Sequence, residues 1–276
     1  MRLNKRSVCM SFALGAIILL VLCELFRFSS LCGAEEGSKL AISLDMMITR
    51  FLGGVAFLAM LINLEYRVLN PIKKPFFRSI LFALPAFLIA INNFPFSAVF
   101  GGEAKVTESG GMVLLLFFEC MMVGFFEEMA FRGVVFLGIL RKNPQNRLWA
   151  FASIAISSAV FGLVHLVNLF TSSPAAVIMQ IGYSALIGAM CAVVLMKSAN
   201  IWLCVLIHGL YNFCGAVIPR LGEGEIWDTF TIVLTVIVSL LVAAYMIAAF
   251  VKGKMPLIND IYGTDQTEPS DKNKTT

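Results

Sequence analysis

The chain has 276 residues, of which 59% are hydrophobic and 14% charged, and its mean hydropathy is +0.88. Soluble proteins carry about 25% charged residues to cover a water-facing surface, so a water-soluble fold of this size is excluded and the outer surface must face lipid. The net charge of +4 comes from 21 Lys plus Arg against 17 Asp plus Glu, scattered in short connections instead of one basic face, which argues against a nucleic-acid partner.

A bilayer core about 30 Å thick needs roughly 20 apolar residues per helix. The sequence divides into eight such stretches, at about 8–26, 50–66, 79–97, 111–140, 148–170, 174–196, 200–218 and 229–251. The expected fold is therefore all-α, one polytopic transmembrane helical bundle over residues 1–256. The fourth stretch would span roughly 45 Å as a straight helix, so it should tilt, bend near its glycines or continue along the interface. Residues 1–34 can also be read as a signal peptide, with a basic start, an apolar run and small residues at Gly33 and Ala34. The apolar run is long for a signal, and an uncleaved first helix makes the span count even.

Orientation follows from the basic residues. Arg2, Lys5 and Arg6 precede the first span, Arg67, Lys73, Lys74 and Arg78 separate the second from the third, and Arg141, Lys142 and Arg147 follow the fourth. Lys197, Lys252 and Lys254 fall on the same side, whereas the opposite loops carry Glu35, Glu36, Asp45, Glu223, Glu225 and Asp228. The excess of Lys and Arg places that side, and both termini, in the cytoplasm of a plasma-membrane protein. Residues 257–276 are polar without periodicity and should form a disordered cytoplasmic tail.

Seven cysteines at 9, 23, 32, 120, 191, 204 and 214 show no CxxC spacing, so they read as small packing residues and not as a zinc knuckle or redox pair.

Charged groups within a bilayer cost about 2.5 to 3.5 kcal/mol each even on the mildest scale, so every one needs a reason. The fourth span carries Glu119, Glu127, Glu128 and Arg132, the fifth His165 and Asn168, the sixth Gln180, and the seventh His208 and Asn212. These two histidines are the only ones in the chain. Glu128 and Arg132, four apart, can pair on one helix face. Glu127 points about 100° away with no local partner. It is either part of a structural charge cluster or a carboxylate whose proton affinity is raised by apolar surroundings, as a general base requires. Asn168 could satisfy one ring nitrogen of His165, while Gly162 leaves that helix face open. His208 and Asn212 share a face beside Gly209, either as an interhelical clamp or as donors aimed at a common point. A protein that needed only interhelical glue would favour Ser, Thr and Asn over ionisable groups. One shared polar pocket accounts for all three clusters, and its contents suffice to activate water and hold an oxyanion.

The residues Glu127-Glu128 with Arg132, Phe161 with His165, and His208 with Asn212 resemble the three signature motifs of the CPBP family. These are the CAAX proteases and bacteriocin-processing enzymes, also described as type II CAAX prenyl endopeptidases and the Abi family. Their pattern is EExxxR, FxxxH and HxxxN or HxxxD on separate transmembrane helices, and none of the three departs from it here. The resemblance covers roughly residues 79–218, the expected protease core. It implies an intramembrane protease in which Glu127, helped by His165, activates water, His208 and Asn212 stabilise the oxyanion, and Glu128 and Arg132 support the site. It also admits a zinc variant with Glu127, His165 and His208 as ligands and an open fourth position. The metal-free, glutamate-dependent form is favoured on the resemblance to the prenyl-protease members. The implied partners are the lipid bilayer and a peptide or membrane-anchored substrate, prenylated or not.

Other intramembrane protease signatures are missing: no HExxH, no GxSG and no transmembrane aspartate pair occurs, and Gly182-Tyr183-Ser184-Ala185 lacks the final glycine. Two competing functions use the same residues. A proton-coupled transporter could relay protons along them, although no inverted repeat is evident. A catalytically idle immunity or assembly factor could keep them for structure.

Overall fold

The computed structural model describes residues 25–70, 76–255 and 258–262, with isolated positions at 14, 15, 18 and 22. Its long elements are α1 (Lys39–Asn63), α2 (Phe76–Asn92), α3 (Phe96–Gly101), α4 (Gly110–Leu140), α5 (Arg147–Phe170), α6 (Pro174–Ser198), α7 (Ile201–Leu221), α8 (Thr229–Lys252) and α9 (Ile258–Ile261). Six of these, α1 and α4 to α8, are long and apolar enough to cross a membrane, and α2 is a shorter apolar helix. The chain is an all-α, polytopic integral membrane bundle. Its one addition to that class among the described residues is a two-stranded antiparallel ribbon, β1 (Ala104–Val106) with β2 (Gly222–Gly224), which ties the loop before α4 to the end of α7.

Helix starts are set by side-chain caps. Ser38, Ser109, Asn146, Ser173, Asn200 and Asp228 each accept a hydrogen bond from a backbone N–H of the first turn, in α1, α4, α5, α6, α7 and α8 respectively. Such caps satisfy one of the orphan donors that every helix exposes. They also correct several boundaries. The second span, expected at 50–66, begins at Lys39, because Ser38 caps it and Asp45 turns back to hold the backbone N–H and hydroxyl of Ser29 at 2.7 and 2.8 Å. The third ends at Asn92, because Pro95 cannot continue a helix. The first expected span, 8–26, lies almost wholly outside the described residues. The expected polar tail begins with α9, whose Ile261 and the following Tyr262 are buried, and Tyr262 donates its hydroxyl to the Leu137 carbonyl at 2.8 Å. The remainder of the tail lies outside the described residues.

Glycines bring helices into backbone contact where no hydrophobic force acts between lipid-solvated surfaces. A Cβ on Gly124 of α4 would stand 2.8 Å from the Gly209 nitrogen of α7, and one on Gly162 of α5 would stand 2.8 Å from the Ile181 carbonyl of α6. These two crossings fix the depth at which α4, α5, α6 and α7 present their polar side chains.

Candidate functional site

The first motif does not lie on regular α-helix. Within α4, Glu128–Phe136 is a π-helix between Gly110–Glu127 and Leu137–Leu140. Such wide turns are rare and recur at functional sites. The long fourth span changes pitch here, and the wide stretch begins at the second glutamate of the motif.

Both carboxylates of the motif converge on one imidazole. His208 Nδ1 lies 2.7 Å from Glu128 Oε1, and His208 Nε2 lies 3.2 Å from Glu127 Oε2. Glu127, without a partner in local sequence, finds one 81 residues away on α7. If each ring nitrogen donates, His208 is an imidazolium, and together with Arg132, Glu127 and Glu128 the four charges sum to zero. Neutrality within the group matters because an uncompensated charge at this depth is costly. The two acids differ in access: the Glu128 side chain is 0% exposed, that of His208 is 5% exposed, and that of Glu127 is 17% exposed. Glu127 is the more exposed of the two carboxylates.

Arg132 stands behind Glu128, with Nε 3.1 Å from Oε2, the four-residue pair expected from the spacing. Its guanidinium is buried under the Phe161 ring, 4.3 Å from the centroid. That cation–π contact substitutes for hydrogen bonds that Nη1 and Nη2 do not make among the described residues. Gly188 of α6 makes the space: a Cβ there would lie 2.9 Å from Arg132 Nη2 and 3.3 Å from Ser158 Oγ, which is buried and without a hydrogen-bond partner among the described residues. Neither Gly188 nor Ser158 is distinguishable in sequence from the many other small residues of these spans.

His165 occupies the other side of Phe161. The α-helical part of α5 ends at Leu163, and Val164–Phe170 winds as a 3-10 helix. Phe161 meets both imidazoles edge to face, His165 at 5.3 Å and His208 at 5.6 Å between ring centroids. The aromatic ring of the second motif thus touches both histidines. His165 Nδ1 is 3.0 Å from the Phe161 carbonyl. A carbonyl can only accept, so Nδ1 carries the hydrogen, and in the neutral ring Nε2 is then the nitrogen with the lone pair. Asn168 does not satisfy this ring as expected. Its amide donates instead to Gln180 Oε1 on α6 at 2.8 Å. Asn212, one turn beyond His208, has no side-chain hydrogen bond among the described residues, which leaves its amide donors available.

Glu119, two turns before Glu127 on α4, belongs to a different constellation. It pairs with Arg220, whose Nη2 also reaches Ser43 Oγ at 3.0 Å, so one half-buried ion pair links α1, α4 and α7. Arg220 lies past the expected end of its span, so sequence spacing left Glu119 unpaired.

The zinc set is less well assembled than the acid–imidazole cluster. Glu127 Oε2 and His208 Nε2 are close enough to serve one tetrahedral ion, but His165 does not join them. Among the described residues, the group of three ligand atoms within 4.8 Å of one another is Glu128, Cys191 and Cys204. There Glu128 is committed to Arg132 and His208, and Cys204 donates its thiol to the Cys191 carbonyl at 3.2 Å. Cys120 and Cys214 are likewise buried as free thiols, and Cys32 is exposed.

Comparison with curated proteins and with solved structures gives no match. A family model, described as type II CAAX prenyl endopeptidase Rce1-like, matches residues 109–214. That interval runs from the cap of α4 to the last third of α7 and contains all three motifs, on the helices that build the cluster around His208. The three motifs and the family model coincide over this interval, which is less than half of the chain, and there the chain is similar to CAAX-type intramembrane endopeptidases.

Proposed function

We propose that the chain hydrolyses a peptide bond by glutamate-activated water, with Glu127 as the base. The observation that carries this reading is the placement of the His208 ring between Glu127 and Glu128, with Glu127 the more exposed of the two. Glu127 takes a proton from water as the oxygen attacks the scissile carbonyl. Once neutral, Glu127 no longer holds the Nε2 hydrogen of His208, which turns with the Asn212 amide toward the oxyanion. Glu128 keeps its grip on Nδ1 and stabilises the positive ring, while Arg132 holds Glu128. His165, its Nε2 lone pair free, assists removal of the water proton. On collapse, the proton held by Glu127 passes to the leaving nitrogen, which restores the carboxylate and its bond to His208.

This scheme needs no metal, and the separation of His165 from the Glu127–His208 pair favours it over zinc. The substrate is a peptide or a membrane-anchored, CAAX-type protein that enters laterally from lipid. We place the protein in the plasma membrane with both termini cytoplasmic, following the basic loops. The test uses purified wild type, Glu127→Gln and His165→Ala with a panel of prenylated and leader-type peptides, before and after exhaustive chelation. Wild type should cleave at least one peptide and keep its activity after chelation, while both variants fold and lose cleavage. Full turnover by Glu127→Gln removes the base assignment. Activity lost to chelation and restored by zinc reverses the metal-free reading. Proton-coupled flux without cleavage replaces the protease with a transporter.

A further inference from the structure

Helix α8 stands off from the bundle. Only 11% of its most apolar window is buried, against 56% for α7. It is fastened at three points, by Asn92 Nδ2 to Thr235 Oγ1 at 3.1 Å, by the Tyr245 hydroxyl to the Phe82 carbonyl at 3.3 Å and by Arg147 Nη2 to the Gly253 carbonyl at 3.0 Å. Between α8 and helices α2, α5, α6 and α7 lies a cleft of about 360 Å³, lined among others by Asn93 and Tyr211 at one end, Ile187 and Met246 midway, and Phe151 and Phe250 at the other. Among the described residues no charged one lines it. From Thr235 to Val251, both of which line it, the helix rises about 24 Å, most of the thickness of a hydrocarbon core.

The Phe250 end of the cleft is strongly basic. Arg147 donates to the carbonyls of Phe250, Val251 and Gly253 and lies against the Phe250 ring. Lys197 donates to the Lys254 carbonyl at 2.8 Å, and its ammonium packs against Gly253. Lys252 and Lys254 extend from the same turn and are exposed. Among the described residues none of these four pairs with a carboxylate. Capping of the α8 carbonyls accounts for Arg147 and Lys197 but leaves four cations gathered without a counter-charge. A negative group beside an apolar slot of near-monolayer length or more would complement these cations, and a lipid leaflet offers one.

We infer that this cleft is a binding site for an anionic phospholipid, with one acyl chain between α6 and α8 and the phosphate headgroup against Arg147, Lys197, Lys252 and Lys254. Juxtamembrane basic clusters draw anionic headgroups by the same electrostatics. The inference does not depend on the proteolytic reading.

The test reconstitutes the full chain in vesicles of phosphatidylcholine with 30% phosphatidylglycerol on the order of cellular anionic content, extracts it in mild detergent and counts retained lipids by native mass spectrometry. One phosphatidylglycerol should be retained with at least about tenfold preference over phosphatidylcholine. Replacing both exposed lysines, Lys252→Gln with Lys254→Gln, should reduce that preference several-fold without unfolding the protein. Ala243→Trp, which fills the cleft, should lower retention of either lipid. Equal retention of the two lipids overturns the proposal. So does selective retention that survives both variants, because the lipid then sits elsewhere.

Discussion

The Nε2 atom of His208 lies 3.2 Å from Glu127 Oε2 while its other nitrogen is held 2.7 Å from Glu128 Oε1. One ring therefore serves two acids of unequal exposure, and its two donors have separate tasks. Glutamine in its place can address one side only. His208→Gln should reduce turnover about 10²- to 10³-fold, the usual cost of losing an oxyanion donor. Steady-state cleavage over a range of substrate concentrations checks this, and the loss should appear in kcat rather than in KM.

Arg132 and Glu128 are both buried, at 1% and 0% side-chain exposure, so each needs the other. Removing one partner strands a charge in the bilayer interior, and either Glu128→Gln or Arg132→Met should cost about 3 to 5 kcal/mol. Replacing both removes the stranded charge as well, so the double variant should be more stable than the sum of the singles implies. Thermal unfolding in a fixed detergent measures the cycle. Additive losses would show that the pair is not energetically coupled.

The residue types and the helices of the site were legible in the sequence because ionisable groups are so rare within spans that each one announces itself. The Glu128–Arg132 pair follows from four-residue spacing, and the structure has it. What spacing along one helix cannot supply is a partner on another. The Glu127–His208, Glu119–Arg220 and Asn168–Gln180 contacts all cross between helices, and their register is set by glycine crossings at Gly124 and Gly162. The π-helical stretch over Glu128–Phe136 was hidden for a related reason. Apolar residues on all sides of a membrane helix leave no periodicity from which a change of pitch could be read. Helix starts were recoverable in principle from Ser38 and Ser109, which hydropathy alone overlooks.

Gly188 provides a way to disturb the guanidinium without touching any charged group. A methyl there would stand 2.9 Å from Arg132 Nη2 and 3.2 Å from the Phe161 ring, with Ser158 Oγ at 3.3 Å. All three neighbours are enclosed, so overpacking should cost about 1 to 3 kcal/mol. Gly188→Ala should also lower kcat through the chain Arg132, Glu128 and His208, whereas Gly182→Ala, where a Cβ meets nothing within 4 Å, should change neither stability nor turnover. Equal behaviour of the two alanine variants in unfolding and in cleavage would remove the positioning argument.

Asp228 caps the standing helix α8, and its carboxylate accepts the Thr231 N–H at 2.6 Å. That backbone donor, followed by the Ser97 hydroxyl, holds the Asp228 carboxyl below the usual range. A depressed folded-state value means that the charged form is favoured by folding. The contribution is complete above the unfolded value of about 3.9 and is lost as the pH falls through the folded one. Amides 229–232 should therefore show constant hydrogen-exchange protection between neutral pH and roughly pH 5, after correction for intrinsic rates, and lose it below about pH 4. Asp228→Asn keeps a capping oxygen with nothing to titrate, so its protection should lose this acid-dependent component. Asp228→Ala should fray the first turn at every pH. If wild type and Asp228→Asn lose protection along the same acid curve, another group controls the end of α8.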